Sequence, residues 1–163
     1  MEINIKIVTL LIGIVLIGLT AGLCFTWSNA VTPGIGRLDD FHFLRAFQAM
    51  NRAIINKTFI LVFFGPLIFL SVSTYLFRNS PISFWFILIG TVLYFIGLVL
   101  VTIFGNVPLN EILDKSNLEA LNTVELQDLR TRFEKPWNQL HIIRTISATV
   151  SLILLLLGLL NIK

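Results

Sequence analysis

The sequence predicts an all-α integral membrane protein, an up-down four-helix bundle with an amphipathic helical extension before span 2 and before span 4. Two observations lead to this fold class. Hydrophobic residues make up 56% of the 163 residues and charged residues only 13%, whereas soluble domains carry roughly 25% charged residues. The few charges are also spaced so that four long uncharged stretches lie between them. This composition excludes a soluble enzyme, a disordered tail and a disulfide-rich secreted module.

Each uncharged stretch is long enough to cross a bilayer, which takes about 20 mostly apolar residues. We predict a single four-span membrane domain over residues 1–163, with spans at about residues 5–28, 57–78, 82–107 and 140–161. The first apolar run is longer than the roughly 7–15 residues of a signal-peptide core. We therefore expect it to remain as an uncleaved span.

Two amphipathic segments precede span 2 and span 4. Residues 41–56 and 118–140 place apolar side chains at helical spacing, and Pro136 is expected to break or kink the second segment. Small residues within the spans are expected to allow close helix–helix contacts: Gly18, Gly22, Gly90 and Gly97.

The charge balance and the single cysteine narrow the chemistry. The net charge of +3 does not indicate a nucleic-acid partner, because Lys and Arg commonly flank membrane spans. Cys24 is the sole cysteine, so the chain forms no internal disulfide, no cysteine-based metal site and no CxxC redox pair.

Uncharged polar residues collect at one end of the predicted bundle. In an up-down bundle the end of span 1, the start of span 2, the end of span 3 and the start of span 4 meet at one membrane face. Polar groups at membrane depth tend to face the bundle interior and mark a site. We therefore predict a pocket at this end that is lined by Trp27, Asn29, Asn51, Arg52, Asn106, Asn110, Trp137, Asn138, His141 and Arg144.

Helical spacing supports this convergence. Trp137, His141 and Arg144 fall at i, i+4 and i+7 and share one face. Asn106 and Asn110 are i, i+4 neighbours if the helix continues through the intervening proline. A charged Arg144 near the start of a span needs partners, and we expect it to find them in the side-chain carbonyls of these two asparagines.

Each of these residues also has a purely structural interpretation. Asparagines at helix ends cap helices or bridge neighbouring ones, Arg144 at a span end can extend to the headgroups, and Trp27 and Trp137 suit an aromatic belt. His141 stays open between a base, a metal or haem ligand and a packing residue. The only other histidine, His42, lies in a connection, and no metal site is predicted.

The polar segments resemble the anthrone oxygenase-like family of small four-span membrane proteins. The resemblance runs from about Ile17 to Leu156, with the most distinctive pieces at NVPLN (106–110) and WNxxHxxRT (137–145). It also includes Ala21, Gly22, Leu23, Ser28, Asn29, Pro33, Met50, Asn51, Arg52, Asn56 and Leu113. One departure is that family members often carry a second Trp a turn before Trp137, where this chain has Phe133 and Glu134.

The resemblance implies an oxygenase that converts an anthrone to an anthraquinone with O₂, without metal or flavin. An anthrone has an acidic C–H, and its enolate reacts directly with O₂. His141 is then the candidate base, and Arg144 with Asn106, Asn110 and Asn138 the candidate stabilisers of the oxyanion. Trp27 and Trp137 would pack the flat substrate.

Two other function classes remain open at this stage: a non-catalytic lipid- or quinone-binding membrane protein, and an accessory or structural membrane subunit. The expected partners are the lipid bilayer, a hydrophobic small molecule and O₂. We expect the chain in a bacterial cytoplasmic membrane. Nine of the 12 Lys and Arg residues lie at the polar end, so the positive-inside rule predicts that this end is cytoplasmic and that both termini are outside.

Overall fold

The computed structural model describes residues 4–162, which are helical almost throughout and contain no strand in that range. Residues 1–3 and 163, which belong to the predicted domain, lie outside the described residues. The α-helices are α1 (Ile5–Thr26), α2 (Thr32–Ile35), α3 (Asp40–Ile54), α4 (Lys57–Leu76), α5 (Pro81–Tyr94), α6 (Val107–Lys115) and α7 (Thr123–Leu160). Three π-helical turns (Trp27–Val31, Phe95–Leu100 and Thr102–Asn106) and a 3₁₀ turn (Leu118–Ala120) lie between them.

Four continuous helical stretches are long and apolar enough to cross a membrane: Ile5–Ile35, Lys57–Leu76, Pro81–Lys115 and Thr123–Leu160. The first and third are built from several helical elements that follow one another without a break. The predicted fold class, a helical membrane bundle, is confirmed. The chain is an integral membrane protein.

The bundle places each span against two neighbours. α1 packs on α4 and α7, while α5 packs on α7 and α4. The core between them is apolar and fully buried, with Leu10, Ile17, Leu70, Ile87 and Leu98 all at 0% exposure. Large apolar side chains also point outward along every span, which is the surface that a lipid environment requires.

Glycines set the closest helix contacts. A Cβ at Gly97 would lie 2.7 Å from Ser147 Cβ, and Ser151 donates a hydrogen bond to the Gly90 carbonyl, so the predicted close approach of span 3 to α7 is confirmed. The predicted contact at Gly18 and Gly22 is wrong within the described chain, because a methyl group added at either position would meet nothing within 4 Å. α1 instead meets α4 through another face, the one that carries Gly13.

A proline inside α4 leaves a backbone carbonyl that a neighbouring span compensates. Pro66 has no N–H, so the carbonyl of Val62 loses its helical partner, and Thr20 Oγ1 on α1 lies 3.1 Å from that oxygen. The buried Tyr94 hydroxyl donates to the adjacent carbonyl of Phe63 at 2.7 Å. Side chains of two other spans therefore supply the pairing that lipid cannot supply.

α7 is a single helix of 38 residues, about 57 Å long at 1.5 Å per residue, so it extends well beyond the hydrocarbon. The helix runs through Pro136 without interruption, so of the predicted break or kink the break is wrong and the kink stays a prediction. The carbonyl that loses its partner is that of Arg132, which lies on the exposed early part of the helix, where water can satisfy it.

The helix α3 covers the polar end of the bundle. It packs on α6 and α7 through a second buried cluster: Phe43, Leu44, Phe47, Leu113, Leu118, Phe133 and Trp137. Arg130 on α7 fixes the chain that leads into α3, because it donates to the carbonyls of Gly36 and Leu38 at 2.9 and 2.8 Å and pairs with Asp40 at 3.1 Å. Its guanidinium also lies 4.3 Å from the Phe43 ring.

Two of the π-helical turns lie immediately before prolines at the polar end. Trp27–Val31 precedes Pro33, and Thr102–Asn106 precedes Pro108. A proline ring clashes with the carbonyl four residues earlier and offers it no N–H, so a wider turn lets both helices continue. Such widened turns often occur at functional sites. Here they place the ends of spans 1 and 3 beside the middle of α7, at Trp137 and Thr145.

Candidate functional site

A cavity of about 290 Å³ lies at the polar end of the bundle. It is enclosed by the end of span 1, the break between α3 and α4, the end of span 3 and α7. The predicted pocket residues that line it are Trp27, Asn51, Arg52, Asn110, Trp137, His141 and Arg144. Three others, Asn29, Asn106 and Asn138, do not line it.

The two asparagines of the NVPLN segment hold Trp137 from both sides. The indole Nε1–H of Trp137 donates to Asn110 Oδ1 at 2.8 Å, and Asn106 Nδ2 donates to the main-chain carbonyl of Trp137 at 3.3 Å. An indole N–H only donates and a carbonyl only accepts, so the orientation of each amide follows from its partner. Together they fix the position of Trp137 against span 3.

An aromatic wall surrounds Trp137. Its ring stacks on His141 at 4.8 Å with an interplanar angle of 16°, and it lies 5.5 Å from Trp27 and 4.8 Å from Phe47. Phe133 contacts Phe47 edge-on at 4.7 Å and is buried. Phe133 therefore supports the wall from behind and does not line the cavity.

His141 is 4% exposed and joins α7 to α1. Its Nε2 lies 3.1 Å from the main-chain carbonyl oxygen of Cys24. Because a carbonyl only accepts, Nε2 carries the proton in the neutral ring and Nδ1 is the acceptor. Within residues 4–162, Nδ1 is buried and has no hydrogen-bond partner.

Arg144 does not have the partners that the sequence predicts. Asn110 Oδ1 is used by Trp137, and Asn106 donates to the Trp137 carbonyl, so neither amide contacts the guanidinium. In the described part of the chain, Arg144 makes no ion pair, and its Nε is buried and unpaired. The neutral thiol of Cys24 lies beside its guanidinium as a weak hydrogen-bond acceptor. The expected pairing is therefore wrong: Asn110 Oδ1 accepts from Trp137, and Asn106 Oδ1 has no hydrogen-bond partner among the described residues.

The four remaining predicted asparagines differ in where they lie relative to the cavity. Asn106 is 0% exposed and lies behind Trp137, and its Oδ1 has no hydrogen-bond partner among the described residues. Asn29 is exposed on the π-helical turn of span 1 and Asn138 is half-buried on α7, so the prediction that they line the pocket is wrong. Asn51 lines the cavity with a buried, unpaired Nδ2.

Sequence reasoning predicted Arg52 but missed the other three residues of the charged rim, Glu111, Asp114 and Lys115. Arg52 Nε pairs with Asp114 at 2.5 Å, and Lys115 pairs with Glu111 at 3.4 Å; all four side chains line the cavity and are largely exposed. Three of them follow the NVPLN segment directly on α6. The continuation of that helix through Pro108 was the signal that would have located them. The apolar Ile54, Ile55, Phe59 and Val107 were also missed.

No group of three or more His, Cys, Asp or Glu side chains that could hold a metal ion occurs among the residues that the structure describes. His42 is far from the cavity lining, in the first turn of α3, where its Nδ1 pairs with Asp39 at 2.7 Å. Backbone and side-chain hydrogen bonds from His42 lower the pKa of this exposed Asp39 below its ordinary value of 3.8.

Comparison with known proteins identifies a family. A family model described as anthrone oxygenase matches residues 58–154, a range that includes both asparagines of NVPLN and all of WNxxHxxRT. It begins after Trp27, Asn29, Asn51 and Arg52. No curated protein matches, and no solved structure does either.

Proposed function

Because the chain belongs to the anthrone oxygenase family, we propose that its cavity is the active site of a membrane-embedded oxygenase that acts on a hydrophobic, anthrone-like aromatic substrate. The observation that carries this proposal is that one cavity at the polar end of the bundle brings His141 and Arg144 beside the rings of Trp27 and Trp137. A base, a cation and a flat apolar wall are the groups that enolate chemistry requires.

The proposed reaction removes a proton from the CH₂ group of the anthrone and forms its enolate. The enolate carbon bonds to O₂ and gives a peroxide. Loss of the second C–H proton, with cleavage of the O–O bond, leaves the quinone carbonyl and releases hydroxide, which takes up a proton as water. One anthrone and one O₂ give one anthraquinone and one water, so the four electrons lost by the carbon reduce O₂.

His141 is the proposed base, acting through Nδ1. Its Nε2–H is committed to the Cys24 carbonyl, which fixes the tautomer with an unprotonated Nδ1. Nδ1 has no exposed surface and the ring stacks on Trp137. Substrate binding must therefore move the aromatic rings that cover His141 before proton transfer occurs.

Arg144 is the proposed stabiliser of the enolate oxygen, with the unpaired Nδ2 of Asn51 as a second donor. We do not expect Asn106 and Asn110 to donate hydrogen bonds to the enolate oxygen. Asn110 presents its oxygen to Trp137, and Asn106 gives its N–H to the Trp137 carbonyl. We therefore propose positioning roles for these two residues, because they hold one wall of the cavity in place.

A second candidate function is the binding of a quinone or lipid without turnover. The shielded Nδ1 of His141 favours it, since the base is not open to the cavity in this conformation. The two functions use the same cavity and differ only in whether the bound molecule is oxidised.

The test measures O₂ uptake and anthraquinone absorbance with purified protein and an anthrone. We expect the wild type to exceed the uncatalysed oxidation, His141→Gln to fall by about 10²-fold or more, the usual contribution of a general base, and His42→Gln to match the wild type. The chain has only these two histidines, so the second is a matched control. Wild-type protein that binds the anthraquinone without accelerating O₂ uptake would favour the binding function.

We also propose one membrane domain over residues 1–163, with the polar end in the cytoplasm. The excess of Lys and Arg at this end supports that orientation. A bacterial cytoplasmic membrane remains a prediction. Single cysteines at Asn79 and Lys115 test the orientation in intact cells: a membrane-impermeant thiol reagent should label the first and not the second. Labelling of Lys115→Cys without labelling of Asn79→Cys would show the opposite orientation, with the polar end outside.

A further inference from the structure

The cavity carries one uncompensated positive charge. Five charged side chains line it, and four of them form the two rim pairs Arg52–Asp114 and Lys115–Glu111. The fifth, Arg144, has no carboxylate partner among residues 4–162, and its Nε is buried without a hydrogen bond. A guanidinium has five donors and cannot shed its proton. A charge held in this way at membrane depth normally has a counter-ion or marks a ligand site.

We infer that the cavity binds its ligand as a monoanion, a flat aromatic molecule whose ionised enol or phenol oxygen rests on Arg144. This inference rests on the proposed function only in assigning the cavity to a small-molecule ligand. It goes further by stating the charge form in which the ligand is bound. Each rim pair joins one cation and one carboxylate and is neutral by itself. Arg144 therefore gives the lining a net charge of one, and a ligand with a single negative charge restores neutrality.

The walls favour an aromatic anion over a fatty-acid carboxylate. Arg144 shares the cavity with Trp27, Trp137 and His141, three rings whose centroids lie 4.8–6.4 Å apart. Rings at these separations present faces and edges that suit another flat ring. The volume of about 290 Å³ is at the lower limit of small-molecule sites, which span roughly 300–1,000 Å³.

Anion binding changes the order of events in the proposed reaction. An anthrone and its enol tautomer share one conjugate anion, and this anion is the species that reacts with O₂. A site that selects it would load the reactive form directly, and the proton would leave to His141 or to water as the anion binds. Arg144 would then act at the binding step as well as in the transition state.

The test uses 2-hydroxyanthraquinone, which O₂ does not oxidise and whose visible absorption shifts when its hydroxyl ionises. Its neutral partner is 2-methoxyanthraquinone, of nearly the same shape. The purified full chain is held in phosphatidylcholine nanodiscs. We expect the hydroxy compound to bind with the spectrum of its anion at a pH where the free compound is mostly neutral, and at least about tenfold more tightly than the methoxy compound.

Variants then locate the charge. Arg144→Lys should keep a large part of the spectral shift, and Arg144→Gln should abolish it. Arg45→Gln is the matched control, since it removes one arginine that pairs with Glu119 outside the cavity lining. The wild-type comparison of the two ligands needs no variant, so it decides the question even if an Arg144 variant fails to fold.

The outcomes separate this inference from the proposed function. Equal affinity for both ligands, or binding without the anion spectrum, overturns the inference whether or not the protein consumes O₂. A protein that ignores 2-hydroxyanthraquinone but binds decanoate in an Arg144-dependent way also overturns it, in favour of a lipid acid. Anion binding without anthrone turnover supports the inference and contradicts the oxygenase.

Discussion

The imidazole Nε2 of His141 lies 3.1 Å from the main-chain carbonyl oxygen of Cys24, and this contact connects α7 to α1 at the floor of the cavity. The carbonyl fixes the tautomer of His141 and leaves Nδ1 as its acceptor. Cys24 lies just before the π-helical turn Trp27–Val31. The carbonyl that fixes the protonation of His141 therefore lies directly beside the helix distortion that precedes Pro33.

The first prediction concerns the hydrogen bond between Trp137 and Asn110. Asn110→Leu should destabilise the folded protein by about 1–3 kcal/mol, because it leaves a part-buried indole N–H without an acceptor. Thermal unfolding in detergent measures the change. In a Trp137→Phe background the same substitution should cost much less, since the donor is already gone. Equal costs in the two backgrounds would show that Asn110 does not act through Trp137.

The second prediction concerns the contact between span 3 and α7. Gly97→Ala should destabilise the bundle by about 1–3 kcal/mol through overpacking, because its Cβ would lie 2.7 Å from Ser147 Cβ and closer still to Ser147 Oγ. Gly22→Ala is the matched control, with open space around the added methyl, and should be neutral or slightly stabilising through helix propensity. A stable Gly97→Ala protein would mean that the two helices separate easily.

The third prediction is a pH dependence of the start of α3. Hydrogen bonds from His42 lower the pKa of Asp39 below 3.8. A depressed carboxyl pKa stabilises the folded form above the unfolded pKa, and this stabilisation is lost as the pH falls through the folded value. Acidification below that range should therefore raise hydrogen exchange in the first turn of α3. Asp39→Asn keeps an N-capping side chain and should show no such acid step.

The fold class could be predicted from the sequence because a long uncharged stretch that crosses a bilayer must satisfy its own backbone hydrogen bonds, and a helix does so. The sequence was also sufficient to bring Trp27, Asn110, Trp137, His141 and Arg144 to one end, since up-down topology and helical spacing determine that much. The sequence did not determine which hydrogen-bond partners these side chains have. Asn110 had two candidate donors, Arg144 and Trp137, and only the rotation of α6 against α7 decides between them.

Backbone irregularities explain most of the remaining differences. Pro33 and Pro108 are each preceded by a π-helical turn, whereas Pro136 lies in an unbroken α-helix. Pro66, whose freed carbonyl is met by Thr20, also lies inside an α-helix. The presence of a proline alone therefore does not predict where a helix widens. Each π-helical turn shifts the helical phase of the residues that follow, which spacing rules based on a regular helix do not take into account.

The last prediction reverses an expectation that follows from the sequence. If Arg144 paired with Asn106 and Asn110, replacing it would harm the fold. Since Arg144 has no carboxylate partner in the described chain and its Nε is unpaired, Arg144→Leu removes an uncompensated charge and should raise the free energy of unfolding of the ligand-free protein by roughly 1–3 kcal/mol. Differential scanning fluorimetry in detergent measures this, with Arg45→Gln as the control for the loss of one positive charge.

A bound anion should reverse that order of stability. A ligand that binds only the folded form stabilises it by an amount that grows with its concentration relative to its Kd, about 2.7 kcal/mol at a hundredfold excess. Excess 2-hydroxyanthraquinone should therefore raise the Tm of the wild type and leave Arg144→Leu unchanged. Stability and ligand binding then oppose each other at one residue, as is common where a function needs a strained or unpaired group. A ligand-free Arg144→Leu protein that unfolds below the wild type would show that the guanidinium supports the fold.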